Sequence, residues 1–280
     1  DNIVNGKHDT HSYESTNNGE SGYQREIFDV ELLYEAFQKA KQGSDWKPQV
    51  QKFEMNLLTE LSKLSKELKD KTFKFSPPNE FRLNERGKTR VISGDCIRDR
   101  VVKRALCDEI LIPSIKKYLI YDNGASLKGK GTDFTRNRLD THLHQFFMSN
   151  GSNEGGVLLG DCTKYFDNIQ HKLLMDMFKK AVKNDTGLWL LGEVLKQAQV
   201  DVSYMSDLEY NDCLDVVFNS LDYDTVDKTF LTGEKYMAKH MNIGDQVAQV
   251  AGIFYPHRFD NYIKIGKGMK FYGRYMDDFY

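Results

Sequence analysis

The sequence has no apolar run longer than a few residues, whereas a helix needs about 20 to span a bilayer, so no membrane-crossing helix is expected. No charged, apolar and small-residue succession of the secretory kind opens the chain either, and a cytoplasmic location is expected. Cysteine is scarce. Cys96, Cys107, Cys162 and Cys213 form no CxxC pair, which argues against a zinc knuckle or a disulfide framework and for a reducing compartment. Histidine offers no metal spacing, since His142 and His144 stand two apart rather than the four that would place both on one helix face. Charge of one sign is also missing overall: the net charge is −2, which on its own is no footprint of a polyanion partner.

What is present is an uneven distribution of that charge. Between Arg82 and Arg104 stand eight basic residues (Arg82, Arg86, Lys88, Arg90, Arg98, Arg100, Lys103 and Arg104) against Glu85, Asp95 and Asp99. Lys128, Lys130, Arg136 and Arg138 follow. Between Asp201 and Asp227, by contrast, there are eight acids and no lysine or arginine. Such asymmetry predicts a basic face able to bind nucleic-acid phosphates, with Arg98, Arg100, Lys103, Arg104, Lys128 and Lys130 as candidate contacts, and an acidic insertion near 201–228.

With 280 residues, 40% of them hydrophobic, the chain can bury a sizeable core. Residues 1–24, rich in Asn, Ser, Gly and Thr, read as a flexible tail. Leu32, Leu33, Ala36, Phe37 and Ala40 fall at helical spacing, and a second helix is predicted over about Val50–Leu68. EFRLNERGKTRVIS reads as a hairpin, Arg98–Tyr118 as helix, and Asp122–Thr132 as a glycine-rich loop, with Asp133 capping a helix to about Phe147. GGVLLG (Gly155–Gly160) reads as a short buried strand ending on Asp161, followed by a capped helix from about Asn168 to Val182 and another over Leu188–Gln199. Val247–Lys264 reads helical despite Pro256, and Met269–Tyr280 as strand, turn and strand. The order predicts an α+β class with an antiparallel sheet, organised as N-terminal helices and a hairpin over 25–150 and a second part over 151–280.

The chain's last nine residues, YGRYMDDFY, put Asp277 and Asp278 side by side. Neighbours on a strand point to opposite faces, so both approach one site only if the backbone turns there. Carboxylates so placed suit a hard divalent ion such as Mg²⁺, and Asp161, at the end of an apolar segment, is the candidate third ligand. Such an oxygen cluster is what a pair of metal ions uses in phosphoryl transfer.

Four segments together resemble a known family, the bacterial reverse transcriptases of the group II intron, retron and diversity-generating-retroelement lineage. YMDD (Tyr275–Asp278) is similar to its palm signature, and LLGDCTKYFDNI (Leu158–Ile169) to its first catalytic-aspartate strand. RVISGDCIRDRVVKRAL (Arg90–Leu106) resembles its fingers segment, and NIGDQVAQ (Asn242–Gln249) its glycine turn. The motifs keep the family's order over roughly Phe28–Tyr280. The resemblance implies a right-hand polymerase fold with fingers and palm; the family's second catalytic strand, primer grip and thumb have no counterpart in this sequence. It also implies RNA-directed DNA synthesis from dNTPs on an RNA template and DNA primer, with two Mg²⁺ ions, or Mn²⁺ in their place.

By that resemblance Asp161, Asp277 and Asp278 are the catalytic metal ligands, helped by the Cys162 carbonyl. Phe166 is the gate under the incoming sugar. Lys88 and Arg90 hold the triphosphate, and Gly244 and Gln249 lie beneath the nascent pair. The chain departs from the pattern at Ala248, where the family has Ser, and in its acidic stretch. A retron, retroelement or antiphage-defence setting would add a dedicated non-coding RNA or an accessory protein as partners. Two rival readings are untemplated or protein-primed DNA synthesis, and a non-catalytic RNA-binding scaffold.

Overall fold

The computed structural model describes residues 26–85, 87–215, 229 and 231–280. The expected tail over 1–24, Arg86 and the later part of the acidic stretch, 216–228, lie outside the described residues. Helix α1 (Val30–Lys41) buries Leu32, Leu33, Ala36, Phe37 and Ala40, the stripe that its apolar spacing predicts. The single helix expected over Val50–Leu68 is two, α2 (Pro48–Met55) and α3 (Leu57–Lys69). Asn56 separates them: its side chain donates to the Lys52 carbonyl at 3.1 Å while its backbone leaves helical geometry.

Strands β1 (Asn79–Glu85) and β2 (Lys88–Gly94) form the expected hairpin, paired without a slip from Asn79↔Gly94 to Glu85↔Lys88. Phe81 and Leu83 are exposed, so the hairpin stands off the core, and its base is fixed by the Ser93 N–H donating to the Ile243 carbonyl at 2.9 Å. Helix α4 (Ile97–Ala105) continues through a π-helical turn, Leu106–Leu111, into α5 (Ile112–Ile115). After a loop comes α6 (Thr132–Asn150), which starts one residue before Asp133. Gly131 therefore takes the cap position, and Asp133 lies exposed in the first turn without capping it.

Residues Gly155–Gly160 do not form the expected buried strand. Leu158 is 78% exposed, and the pairing of the segment is one isolated bridge, Gly160↔Phe279. An apolar run becomes a buried strand only when neighbours cover it, and the strand on this side is two residues long, so the ladder stops after one rung. Helix α7 (His171–Ala181) starts later than the expected Asn168, which instead closes a 3-10 turn over Phe166–Asn168. Helix α8 (Asp185–Gln197) is capped by Asn184, whose side chain accepts from the Gly187 N–H.

Next come β3 (Val200–Asp201), α9 (Asp207–Asp215) and β4 (Tyr236–Met237). Helix α10 (Gln246–Phe254) and helix α11 (His257–Asn261) meet at Pro256, and β5 (Arg274–Tyr275) pairs antiparallel with β6 (Asp278–Phe279). Apolar residues of α1, α3, α4, α7, α8 and α10 share one core, which joins both sides of the boundary expected near residue 150. Val202, Met205 and Met237 make a second, small core around β3 and β4. The described residues are thus helix-rich with small two-stranded antiparallel sheets, a mixed architecture compatible with an α+β class. Among them no helix is long and apolar enough to cross a membrane.

At the centre of the core interface, Lys103 of α4 is only 2% exposed. Its ammonium donates to Asp95 at 2.8 Å, Asp245 at 2.6 Å and Gln197 at 2.7 Å. Burial acts to lower its pKa, but the two carboxylates overcome this and hold it raised, so the charge persists inside. Asp245 also caps α10, accepting from the Val247 N–H at 2.8 Å, so one cation ties α4 to the start of α10. Lys103→Met leaves two buried carboxylates without their cation and is expected to cost roughly 3–5 kcal/mol, read as a lower denaturant midpoint. A change below about 1 kcal/mol would contradict the role given to this network.

Candidate active site

The hairpin β5–β6 turns on two residues, Met276 and Asp277. Met276 has φ +56, a left-handed conformation that costs a non-glycine residue on the order of 1–3 kcal/mol and persists only when its surroundings enforce it. Here they do: the Met276 side chain packs against the main core beside Gly252 of α10, and Arg274 Nη1 donates to the Met276 carbonyl at 3.3 Å. The turn answers how adjacent aspartates can serve one place. Asp277 lies on the bend, and Asp278 begins the return strand opposite Tyr275.

Asp161 reaches the same bend through backbone pairing. Gly160 and Phe279 exchange N–H···O bonds of 2.9 Å in each direction, and the Cys162 N–H donates to the Asp277 carbonyl at 3.3 Å. Asp161 sits between these two rungs. Position 160 has to be glycine, since a Cβ there would lie 2.2 Å from the Phe279 ring. The Asp277 carboxyl is raised above the usual range, by burial first and then by the neighbouring carboxylates of Asp278 and Asp161, the latter within hydrogen-bond reach.

The structure brings the exposed Asp161 and the half-buried Asp277 together, with Asp278 exposed beside them. Among the described residues no three His, Cys, Asp or Glu side chains gather closely enough to hold an ion. The pair nonetheless has the donor chemistry of a hard-cation site, because two carboxylates held this close repel each other until a proton or a divalent ion intervenes. Cys162 contributes its N–H to the bend.

The hairpin is anchored from below by groups that sequence reading missed. Arg274, 1% exposed, donates from Nε to Asp260 at 2.6 Å and from Nη2 to the Tyr272 hydroxyl at 2.9 Å, and that hydroxyl donates to Asp260 at 2.5 Å. The Arg274 backbone is tied to the loop before α6 by Arg274 N–H to Asp122 O at 3.1 Å and Gly124 N–H to Arg274 O at 2.8 Å. Asp122 in turn accepts from Arg138 and Lys264, each at 2.5 Å, which hold its carboxyl low against the opposing effect of burial. The signal that could have found Arg274 was a charge in an otherwise aromatic strand one residue before the YMDD run.

Phe166 lies on its 3-10 turn, partly buried against the main core, with its ring 5.4 Å from that of Tyr165 and bordering Gly252, as Met276 does. It is therefore a neighbour of the aspartate turn. Gly244 and Gln249 are exposed at the start of α10 and line a cleft of about 650 Å³, together with Ser93 of β2 and Arg100 and Arg104 of α4. Gly244 has φ +103, and a Cβ there would lie 3.1 Å from the Ser93 carbonyl, so hairpin and glycine turn can meet only at a glycine. Ala248, at the position where the resemblance leads one to expect serine, is buried. The backbone of Lys88 lies in register with that of Glu85 at the turn end of the hairpin, and Arg90, opposite Leu83, is exposed.

The expected basic face needs correction. Lys103 is interior and cannot meet a phosphate at the surface. Arg98 pairs with Glu67 and Asp99 and lies over the Phe73 ring at 4.3 Å, and Arg100 donates to the Ala40 carbonyl and to Ser44. Arg104 pairs with Asp108 at 3.0 Å. These cations are therefore engaged within the fold, Arg98 and Arg100 in part by the distant Glu67, Ala40 and Ser44, and Arg104 by Asp108 one turn on. Lys130 is likewise engaged, donating to the Tyr121 carbonyl at 2.6 Å and sitting 3.5 Å from the Phe134 ring centre, while Lys128 is exposed.

No protein-family model matches the chain, and no curated protein matches it in sequence. If the carboxylate pair holds a divalent ion, Mg²⁺ or Mn²⁺ raises the thermal midpoint of the protein, by the equivalent of about 2.7 kcal/mol at a hundredfold excess over Kd. Asp161→Asn abolishes that shift, and Asp277→Asn raises the metal-free midpoint because it removes a repelling charge. A wild-type midpoint indifferent to both ions would exclude the site.

Proposed function

We propose that this chain is an RNA-directed DNA polymerase of the right-hand kind, with β1, β2 and the helices around them as fingers and the segment carrying Asp161, Asp277 and Asp278 as palm. The observation that carries the reading is the backbone register that sets Asp161 beside the Asp277 bend, at one end of α10, while the other end opens onto the cleft of Gly244 and Gln249. The Met276 thioether of the bend borders Gly252 of this helix, and Gln249, which lines the cleft, stands about one helical turn before it.

In this reading Asp161 and Asp277, with Asp278 beside them, would hold two Mg²⁺ ions, which would supply charge neutralisation for nucleotidyl transfer. The chain's own residues do the rest. Lys88 and Arg90 on the hairpin meet the triphosphate as preorganised positive charge. Phe166, beside the aspartate turn, fills the space that a 2′-hydroxyl would need. Gly244 lets a nucleic-acid backbone approach closely, and Gln249 faces the same cleft, which would take the RNA template. The four free thiols agree with a reducing, cytoplasmic setting.

Incubation with labelled dNTPs, with and without an RNA template and DNA primer, and sizing of the products test the assignment. Template-dependent extension is expected, with Asp161→Asn and Asp277→Asn lowering it by at least about 10²-fold while the fold remains intact. Products of equal length without RNA would favour untemplated synthesis, and no product at all a scaffold role. The gate has its own test. Phe166→Ala is expected to raise ribonucleotide over deoxyribonucleotide use by about 10–200-fold, the range of pocket-size effects. If the side chain only packs, truncation costs roughly 3–5 kcal/mol of stability and leaves the ratio unchanged.

A further inference from the structure

The 3-10 turn that carries Phe166 is strapped along its length to the segment leading into the glycine turn. The Met241 N–H donates to the Phe166 carbonyl at 3.0 Å, Gln170 bridges Lys239, and the His171 N–H donates to the Ala238 carbonyl at 3.0 Å. Between these rungs, His240 Nδ1 donates to Asp167 Oδ1 at 3.0 Å. His240 is itself aimed from behind, since its carbonyl accepts from His171 Nε2 at 2.6 Å. That bond fixes His171 as the Nε2–H tautomer, with its buried Nδ1 lacking a partner.

The core covers this strap unevenly. Met241 and Ile169 are fully buried in the main core, whereas Phe166 and Asp167 are half-buried. The turn also begins on an unfavourable backbone, Lys164 at φ +47, braced from within by Asn168 Nδ2 donating to the Lys164 carbonyl at 2.9 Å. A side-chain tether at Asp167 adds to the Met241 rung in holding the turn, and with it the adjacent Phe166 ring.

We propose that His240, acting through Asp167, is a positioning residue that sets where the Phe166 ring stands and thereby the choice of sugar. The proposal rests on the polymerase reading above. The contact uses one N–H of His240 and one carboxylate oxygen, so any donor at the same reach can replace it. Asparagine at 240 places an N–H where Nδ1 stands. Alanine does not.

The experiment measures the ratio of ribonucleotide to deoxyribonucleotide incorporation in soluble, folded wild type, His240→Ala, His240→Asn, Phe166→Ala and the double variant Phe166→Ala/His240→Ala. His240→Ala is expected to shift the ratio toward ribonucleotides by about 10-fold, the low end of the effect of opening the pocket outright. His240→Asn restores it. In the Phe166→Ala background, His240→Ala adds nothing, because the residue it positions is gone. Should His240→Ala be insoluble, His240→Gln keeps the polarity but displaces the amide from Asp167, and the same shift is expected. An unchanged ratio in these variants, or shifts that multiply in the double variant, overturns the positioning role. Absence of any dNTP incorporation by wild type overturns the polymerase reading and this inference with it, a result told apart from the others by the control reaction alone.

Discussion

A guanidinium buried under the aspartate bend is the contact on which the rest of the site depends. Arg274 belongs to the strand that leads into the bend, and its charge is matched by Asp260 in a different helix, with Tyr272 closing the triangle. Desolvating such a charge is costly, and only a planar donor satisfied on several sides can stay there. Because Asp260 sits in α11, directly after α10, the strand cannot shift without breaking a pair that nothing nearby can replace. The two-residue hairpin is too short to hold itself. Its precision comes from the helical body below.

The unfavourable backbones of the site follow from the same support. Met276 and Lys164 both adopt positive φ, one at the aspartate bend and the other two residues before Phe166, and the Met276 and Phe166 side chains both border Gly252 of α10. A small residue, Gly252, is where their neighbourhoods meet, so ring, thioether and helix approach one another closely. Lys103 and Asp245 fix the start of that helix, and the Arg274 network fixes what leans on its far end. One rigid element thus sets the spacing between the carboxylates and the cleft. The chemistry is distributed along it.

Much of this was legible in the sequence where periodicity speaks for local structure. The stripe of α1, the hairpin of β1 and β2, and the turn between the last two strands follow from spacing and turn residues. The break at Asn56 was not, because neither glycine nor proline marks it and the cause is a side chain bonding back to Lys52. GGVLLG misled because an apolar run reads as buried whether or not neighbours cover it. The cations of Arg98–Arg104 misled for a related reason: charge is local, whereas partners such as Glu67 and Asp245 lie far away in the chain. Proximity of Asp161 to Asp277 was inferable only from motif order, and the His240–Asp167 pair not at all, since the contact spans |i−j| = 73.

The small sheet of β3 and β4 has a consequence for how this protein can vary. The excursion between them leaves and returns side by side, through Val200↔Met237 and Asp201↔Tyr236, and is sealed by Asp201 accepting from Ser203 and Gly233. Once the ends of a loop are clasped, doubling its length adds only about 0.6 kcal/mol of closure entropy. The clasp therefore fixes the ends of the excursion, whose near part stays attached through Tyr210 and Cys213 on the small core and through Lys239 donating to the Cys213 and Leu214 carbonyls. Sequence beyond it can lengthen, shorten or be exchanged for a foreign module at small energetic expense, which makes this position the natural port for diversification and for grafting a reporter domain.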